Sequence, residues 1–248
     1  MSTNISPDKN LIERLFNVGA HFGFSKSRRH PTVKPYLFGN KQGTDIFDLE
    51  KTVELIETAK AVLKKLGEEG KTVLFVGTKE EASVLLKDAA IKVDQPYAAN
   101  RWIGGMLTNW SEIKKRIARL HNLTEEGESG ELERKYTKKE RVVINRELEK
   151  LTTNFGGVKA MEKIPDLLLI VDPRHEVSAL AEAKELKIPV MSVMSSDNNV
   201  SDIDYPVLVN DALQGSLSLV LDELVEAYKE GKAAYVPKPS RSEERSRR

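Results

Sequence analysis

The chain has no cysteine, which excludes disulfides and thiolate metal sites and suits a reducing compartment. It has no apolar run of membrane-spanning length, and Met1 to Asn10 is polar, so neither a membrane span nor a signal peptide is expected. Aromatic residues make up only 6%. Neither G-x-G-x-x-G nor G-x-x-x-x-G-K-[ST] occurs, so the glycines that let a backbone wrap a nucleotide phosphate are missing. No G-x-S-x-G elbow accompanies Ser195-Ser196-Asp197. The four histidines (His21, His30, His121, His175) lack the i,i+4 or clustered spacing of a metal site. These absences point away from an enzyme, a metal site and a cofactor.

A further absence is local. Between Arg14 and Thr44 there is no acidic residue, while six Lys/Arg occur: Arg14, Lys26, Arg28, Arg29, Lys34 and Lys41. The whole chain is nearly balanced, with a net charge of +1, so this stretch is a local basic patch of the kind that binds phosphates. His21, Phe22, Phe24, His30 and Tyr36 are interleaved with the cations, which suits phosphate contact combined with stacking on folded RNA. A solvated loop is the plainer alternative.

What is present fits a globular protein: 248 residues, 40% hydrophobic and 31% charged, enough for one sizeable domain plus an insertion. A short amphipathic helix is expected over Pro7 to Val18. Tyr36–Gly39 and Thr44–Phe47 read as strands around a turn at Asn40–Gly43. Asp48 caps a helix expected to end at Gly67. Thr72–Val76 is a buried strand, and Thr78 with Glu81 forms a capping box for the next helix. Tyr97–Ala99 is a candidate third strand. Leu167–Val171, Ile188–Val193 and Val207–Val209 complete a parallel set, with Asp172-Pro173 expected to open one helix and Asn210 another. Alternating strands and helices predict an α/β fold, a three-layer parallel sheet with right-handed crossovers.

The organising stretch is Arg101-Trp102-Ile103-Gly104-Gly105-Met106-Leu107-Thr108-Asn109-Trp110, which holds both tryptophans. Thr108 is the expected N-cap of the helix that follows. That helix, to about Asn122, carries Trp110, Ile113, Ile117 and Leu120 on one stripe and Lys114, Lys115, Arg116 and Arg119 off it. An acidic linker, Thr124 to Tyr136, leads to a second helix capped by Thr137 and Glu140, with Val142, Val143, Leu148 and Leu151 as its apolar positions. The pair reads as an antiparallel helical hairpin rooted at Gly104-Gly105 and Gly156-Gly157. Residues 1–106 and 157–230 are expected to form the α/β domain, 107–156 the hairpin, and 231–248 a disordered basic tail.

Gly19-Ala20-His21-Phe22-Gly23, Pro35–Gly39, Asp48–Thr52, Phe75–Lys79, Arg101–Asn109 and Pro165-Asp166…Asp172 occur in one order that resembles the bacterial or organellar small-ribosomal-subunit protein two family. The resemblance covers about residues 5 to 230. Phe24, Ser196-Asp197-Asn198 and Leu208-Val209 depart from the family pattern at strand ends. The resemblance implies a Rossmann-like α/β domain with an inserted coiled-coil-like helical hairpin and no enzymatic activity. It further implies a cytoplasmic ribonucleoprotein role in translation: binding small-subunit rRNA between head and body, neighbouring other small-subunit proteins, and helping to dock the large OB-repeat protein that captures messenger RNA. No small-molecule substrate, cofactor or membrane is expected.

The candidate RNA contacts are Arg28, Arg29, His30, Lys34 and Lys41 in the basic loop, and Arg101, Thr108, Asn109, Lys114, Lys115, Arg116 and Arg119 around the hairpin. Trp102, Gly104, Gly105 and Trp110 are expected to set the hairpin's angle, mainly by packing. The competing reading is a nucleotide-binding α/β enzyme with Gly77-Thr78-Lys79 at its site.

Overall fold

The computed structural model describes residues 9–235, so the start before residue 9 and the basic tail beyond 235 lie outside the described residues. Five parallel strands form the main sheet: β4 (Val73–Val76), β5 (Tyr97–Ala98), β6 (Leu167–Val171), β7 (Val190–Met194) and β8 (Tyr205–Leu208). Their order is β5-β4-β6-β7-β8. Because β-strand side chains alternate faces, Val73, Phe75, Leu167, Leu169, Met191 and Val193 enter one core, and Leu74, Val76, Leu168, Ile170, Val190 and Met194 enter another. Both faces are covered, which is why these strands read as continuous apolar runs rather than alternating ones.

On the first face lie α1 (Lys9–Asn17), α2 (Leu49–Glu68), α3 (Glu80–Lys92) and α8 (Gln214–Ala233). Helices α2 and α8 cross closely, because Gly67 and Gly231 leave no room for a side chain: a Cβ at Gly231 would lie 2.0 Å from the Lys64 carbonyl oxygen. Gly67 is therefore an interior packing position and does not end α2 as its place in the sequence suggests. Gly70 takes that role, since the Lys71 N–H reaches the Leu66 carbonyl and the Gly70 N–H reaches that of Gly67. Asp48 caps α2 as expected, its carboxylate accepting from the Glu50 N–H at 3.2 Å. Helix α8 starts four residues beyond Asn210 and continues through Gly231 to Ala233.

On the second face lie α7 (Val177–Glu185) and the hairpin α4 (Trp110–Glu128), α5 (Glu131–Lys135) and α6 (Lys138–Phe155). The expected acidic linker is helical to Glu128, because Leu123 continues α4's buried stripe; the break comes at left-handed Gly130. The capping box at Thr137 and Glu140 forms as read. In α6 the buried stripe is Ile144, Leu151 and Phe155 with Leu148 partly covered, whereas Val142 and Val143 face outward. The helical period counted back from Phe155 gives that register.

A small antiparallel sheet, β1 (Phe22–Ser25), β3 (Thr44–Phe47) and β2 (Leu37–Lys41), holds the basic loop. The β2–β3 turn is Gln42-Gly43, both with positive φ (53° and 83°), as a two-residue hairpin turn matching strand twist requires.

Candidate nucleic-acid interface

The stretch Arg101–Trp110 is wrapped around one carboxylate. Glu182, on α7, accepts from the Trp102 indole N–H (2.9 Å), the Gly105 N–H (2.8 Å), the Leu107 N–H (2.9 Å), the Thr108 N–H (3.1 Å) and the Thr108 hydroxyl (3.2 Å). Burial alone would push the Glu182 pKa up; the hydrogen bonds from Trp102, Leu107, Thr108 and Gly105 outweigh it and hold the group below its ordinary value. Thr108 therefore does not cap α4. Its hydroxyl is committed to Glu182, and Asn109 takes the N-cap position, its side chain accepting from the Ser111 hydroxyl at 3.4 Å rather than from a backbone N–H of α4. Gly105 needs its φ of +83°, while Gly104 sits in open space with nothing within 4 Å of a built Cβ. Both tryptophans are buried. Sequence reasoning missed Glu182, although its place between Ala179 and Ala183 on α7's buried stripe was a signal.

A ligand in an open α/β sheet is expected at the carboxyl ends of the strands, where the strand order reverses. Here that point lies between β4 and β6, beside Gly77-Thr78-Lys79. The chain closes it with its own charges. The Thr78 N–H and hydroxyl both donate to Glu176 at 2.7 and 2.6 Å, so a carboxylate occupies the anion position before α3. The Lys79 ammonium lies 3.1 Å from Asp172 and 3.4 Å from Asp211. Asp211 is fully buried, and burial, reinforced by the Asp172 charge and opposed by Lys79, pushes its pKa up to about 7. The expected capping box of Thr78 with Glu81 is absent for the same reason: Thr78 is bound to Glu176, and Lys79 is the N-cap. Asp172 is left-handed (φ 57°) and starts a turn rather than α7, which begins at Val177.

The end of β7 is closed as well. Ser195, Ser196, Asp197 and Asn198, polar as they are, are buried. The Phe24 N–H donates to the Ser196 hydroxyl and the His30 N–H to the Ser196 carbonyl, each at 2.8 Å. Arg28 and Arg174 both reach Asp197, at 3.3 and 3.0 Å. The basic loop is thus docked on the crevice and fills it, and among the described residues there Lys79, Arg28 and Arg174 are all paired with carboxylates.

This docking divides the candidate contacts. Arg28 pairs with Asp197 and lies 4.3 Å over the Phe24 ring. Arg29 neutralises buried Asp45 at 3.3 Å. His30 bonds the Thr32 hydroxyl through Nδ1 at 2.8 Å, opening the helical turn Pro31–Tyr36. Lys115 pairs with Glu112, and Arg119 with Glu147 across the hairpin. Lys114 lies over Trp110, 5.9 Å from the ring centroid. In contrast, Lys34, Lys41, Arg101 and Arg116 are exposed and, among the described residues, their side chains have no ion pair or hydrogen bond. Phe38 is 81% exposed on the strand that carries Lys41.

The profile of the family described as Ribosomal protein S2 matches residues 15–231. The chain belongs to that family. It is 42% identical over 221 residues to the small ribosomal subunit protein uS2 of Petrotoga mobilis, covering 89% of this chain and 76% of the relative. The uS2 protein of Wolinella succinogenes is 41% identical over 222 residues (90% and 82%). The uS2c protein of Trieres chinensis is 37% identical over 221 residues (89% and 96%). The S2 family consists of structural proteins rather than enzymes, consistent with a strand-end crevice closed by the chain's own side chains.

Proposed function

We propose that this S2-family chain is a scaffold of the cytoplasmic small ribosomal subunit that holds rRNA between head and body through its unpaired cations. The observation that carries this reading is the separation of exposed Lys34, Lys41, Arg101 and Arg116 from the paired Arg28, Arg29, Lys115 and Arg119. The paired arginines fix the loop, and the unpaired cations neutralise phosphates and release counterions. Phe38 is placed to stack on an unpaired base. Residues 107–156 act as an arm extending this surface from the α/β body.

A second surface suits a protein neighbour, here the large OB-repeat protein that captures messenger RNA. Phe16 stacks on His21 at 4.6 Å and His21 lies 4.0 Å from Phe22, with Leu213 next to Gly19. Phe16, Phe22 and Leu213 are all exposed, and partial burial holds the His21 pKa below its ordinary value, keeping the strip neutral.

Sedimentation of tagged protein from lysate at low and high salt tests the scaffold reading. Stoichiometric migration with the small subunit, lost on combined Lys34→Glu, Lys41→Glu and Arg116→Glu, is the expected result. Migration of the wild type only as free protein overturns it. Phe16→Asp with Leu213→Asp is expected to release the OB-repeat protein while leaving the scaffold on the subunit.

A further inference from the structure

The strand-end crevice is closed, yet a different cleft is open. It lies between edge strand β5 and the roots of the hairpin, encloses about 540 Å³, and is lined by parts of α3, β5, α4 and α6. Among the described residues no acidic one lines it, although acids nearly equal bases in the chain (38 against 39). Three cations do: Lys87 from α3, Arg101 after β5, and Lys159 after α6. All three are exposed, and among the described residues none of their side chains has a hydrogen bond or ion pair. Thr152, Thr153 and Asn154 add hydroxyl and amide groups, and Tyr97 adds a half-buried ring.

The walls are fixed. The Asn100 amide donates to the Thr153 carbonyl at 2.9 Å, tying the β5 loop to α6. Gly157 presses on the Tyr97 backbone so closely that a Cβ there would lie 2.2 Å from the Tyr97 carbonyl oxygen. The cleft is therefore built into the fold rather than opened by a loose side chain.

We infer that this cleft receives a single unpaired nucleotide of the bound RNA, its phosphate held by Lys87, Arg101 and Lys159 and its base against the Asn154 and Tyr97 side. The inference rests on the RNA-scaffold reading above and names the form of RNA it takes. A volume in the range of small-ligand clefts admits one nucleotide but not a duplex. Three cations without an acid demand an anion. The mixture of amide, hydroxyl and ring offers donors, acceptors and a stacking face together, which suits a base edge and face. A nucleotide seated here touches body and hairpin together.

The test uses the full chain and two labelled probes, a single-stranded oligouridylate and a blunt duplex RNA of equal charge, with binding followed by anisotropy. Lys87→Glu with Lys159→Glu changes only exposed side chains and leaves the core intact. It is expected to weaken single-strand binding by about tenfold or more and duplex binding by less than about twofold. Lys34→Glu with Lys41→Glu is expected to weaken both probes. A thiouridine-containing strand is expected to crosslink to the peptide holding Tyr97 or Asn154. Unchanged single-strand binding by the Lys87/Lys159 variant, or the absence of any crosslink to the peptide holding Tyr97 or Asn154, overturns the cleft proposal while leaving the scaffold reading standing. Displacement of the strand by polyglutamate at equal charge concentration overturns it in favour of an acidic peptide. Failure of the wild type to bind either RNA overturns both readings.

Discussion

Two basic regions of this molecule look alike in sequence and differ in their chemistry. At the carboxyl ends of β4, β6 and β7, Lys79, Arg28 and Arg174 are matched by Asp172, Asp211 and Asp197. On the helical turn Pro31–Tyr36, on β2 and around the hairpin root, Lys34, Lys41, Lys87, Arg101 and Lys159 meet no acid among the described residues. The first region is neutralised within the fold, and the second is the one we propose for RNA. A lysine after a strand says little about ligand binding until its partners are known, because a carboxylate from another strand end can satisfy it first.

The largest expected effect falls at the hairpin root, where Glu182 holds the Arg101–Trp110 stretch beside the unpaired cations. Glu182→Ala removes the acceptor of four N–H groups and a hydroxyl, leaving buried donors unpaired. It is expected to cost about 3–5 kcal/mol in chemical denaturation. A loss below about 1 kcal/mol would show that the Arg101–Trp110 loop is held by packing alone. Lys79→Met comes next. It strips Asp172 and Asp211 of their cation and is expected to cost about 2–4 kcal/mol at pH 8. The cost shrinks at pH 5, where Asp211, with its pKa of about 7, is already protonated.

Asp211→Asn sharpens the same point through pH. The folded-state pKa is raised, so its contribution to stability is fully present below the unfolded value of about 4 and is lost as pH rises through about 7. Wild-type stability therefore carries a falling component across that window, at most about 1.4 kcal/mol per pH unit. The Asn variant lacks it, and parallel pH profiles for the two proteins would contradict the assignment. The Glu182 contribution has the opposite sign, because its folded pKa is lowered: it is present above the unfolded carboxylate value and lost as acid protonates it.

Local features of the sequence carried much of the fold. Apolar runs marked β4, β6 and β7, and both the Thr137–Glu140 capping box and the Asp48 cap form as read. Where reading failed, a residue from elsewhere in the fold had intervened. Thr78 and Thr108 look like N-caps, yet each gives its hydroxyl to a glutamate about 98 and 74 residues away, respectively. Gly67 looks like a helix end because its close neighbour across the crossing, Gly231, is distant in sequence. The acid-free loop was legible as a basic patch, but Asp45 and Asp197, which neutralise two of its arginines, lie outside it. The cleft at Tyr97 was not legible, because Lys87, Arg101 and Lys159 meet only after the hairpin folds back on β5.

The most direct test of the account is the salt dependence of binding to small-subunit rRNA, plotted as log K against log salt. Replacing the unpaired Lys34, Lys41 and Arg101 with Gln is expected to lower the slope by about 0.7–0.9 for each cation. Replacing the paired Lys115 and Arg119 with Gln is expected to leave the slope unchanged. Equal reductions in the two sets would contradict the claim that pairing within the fold decides which cations face RNA.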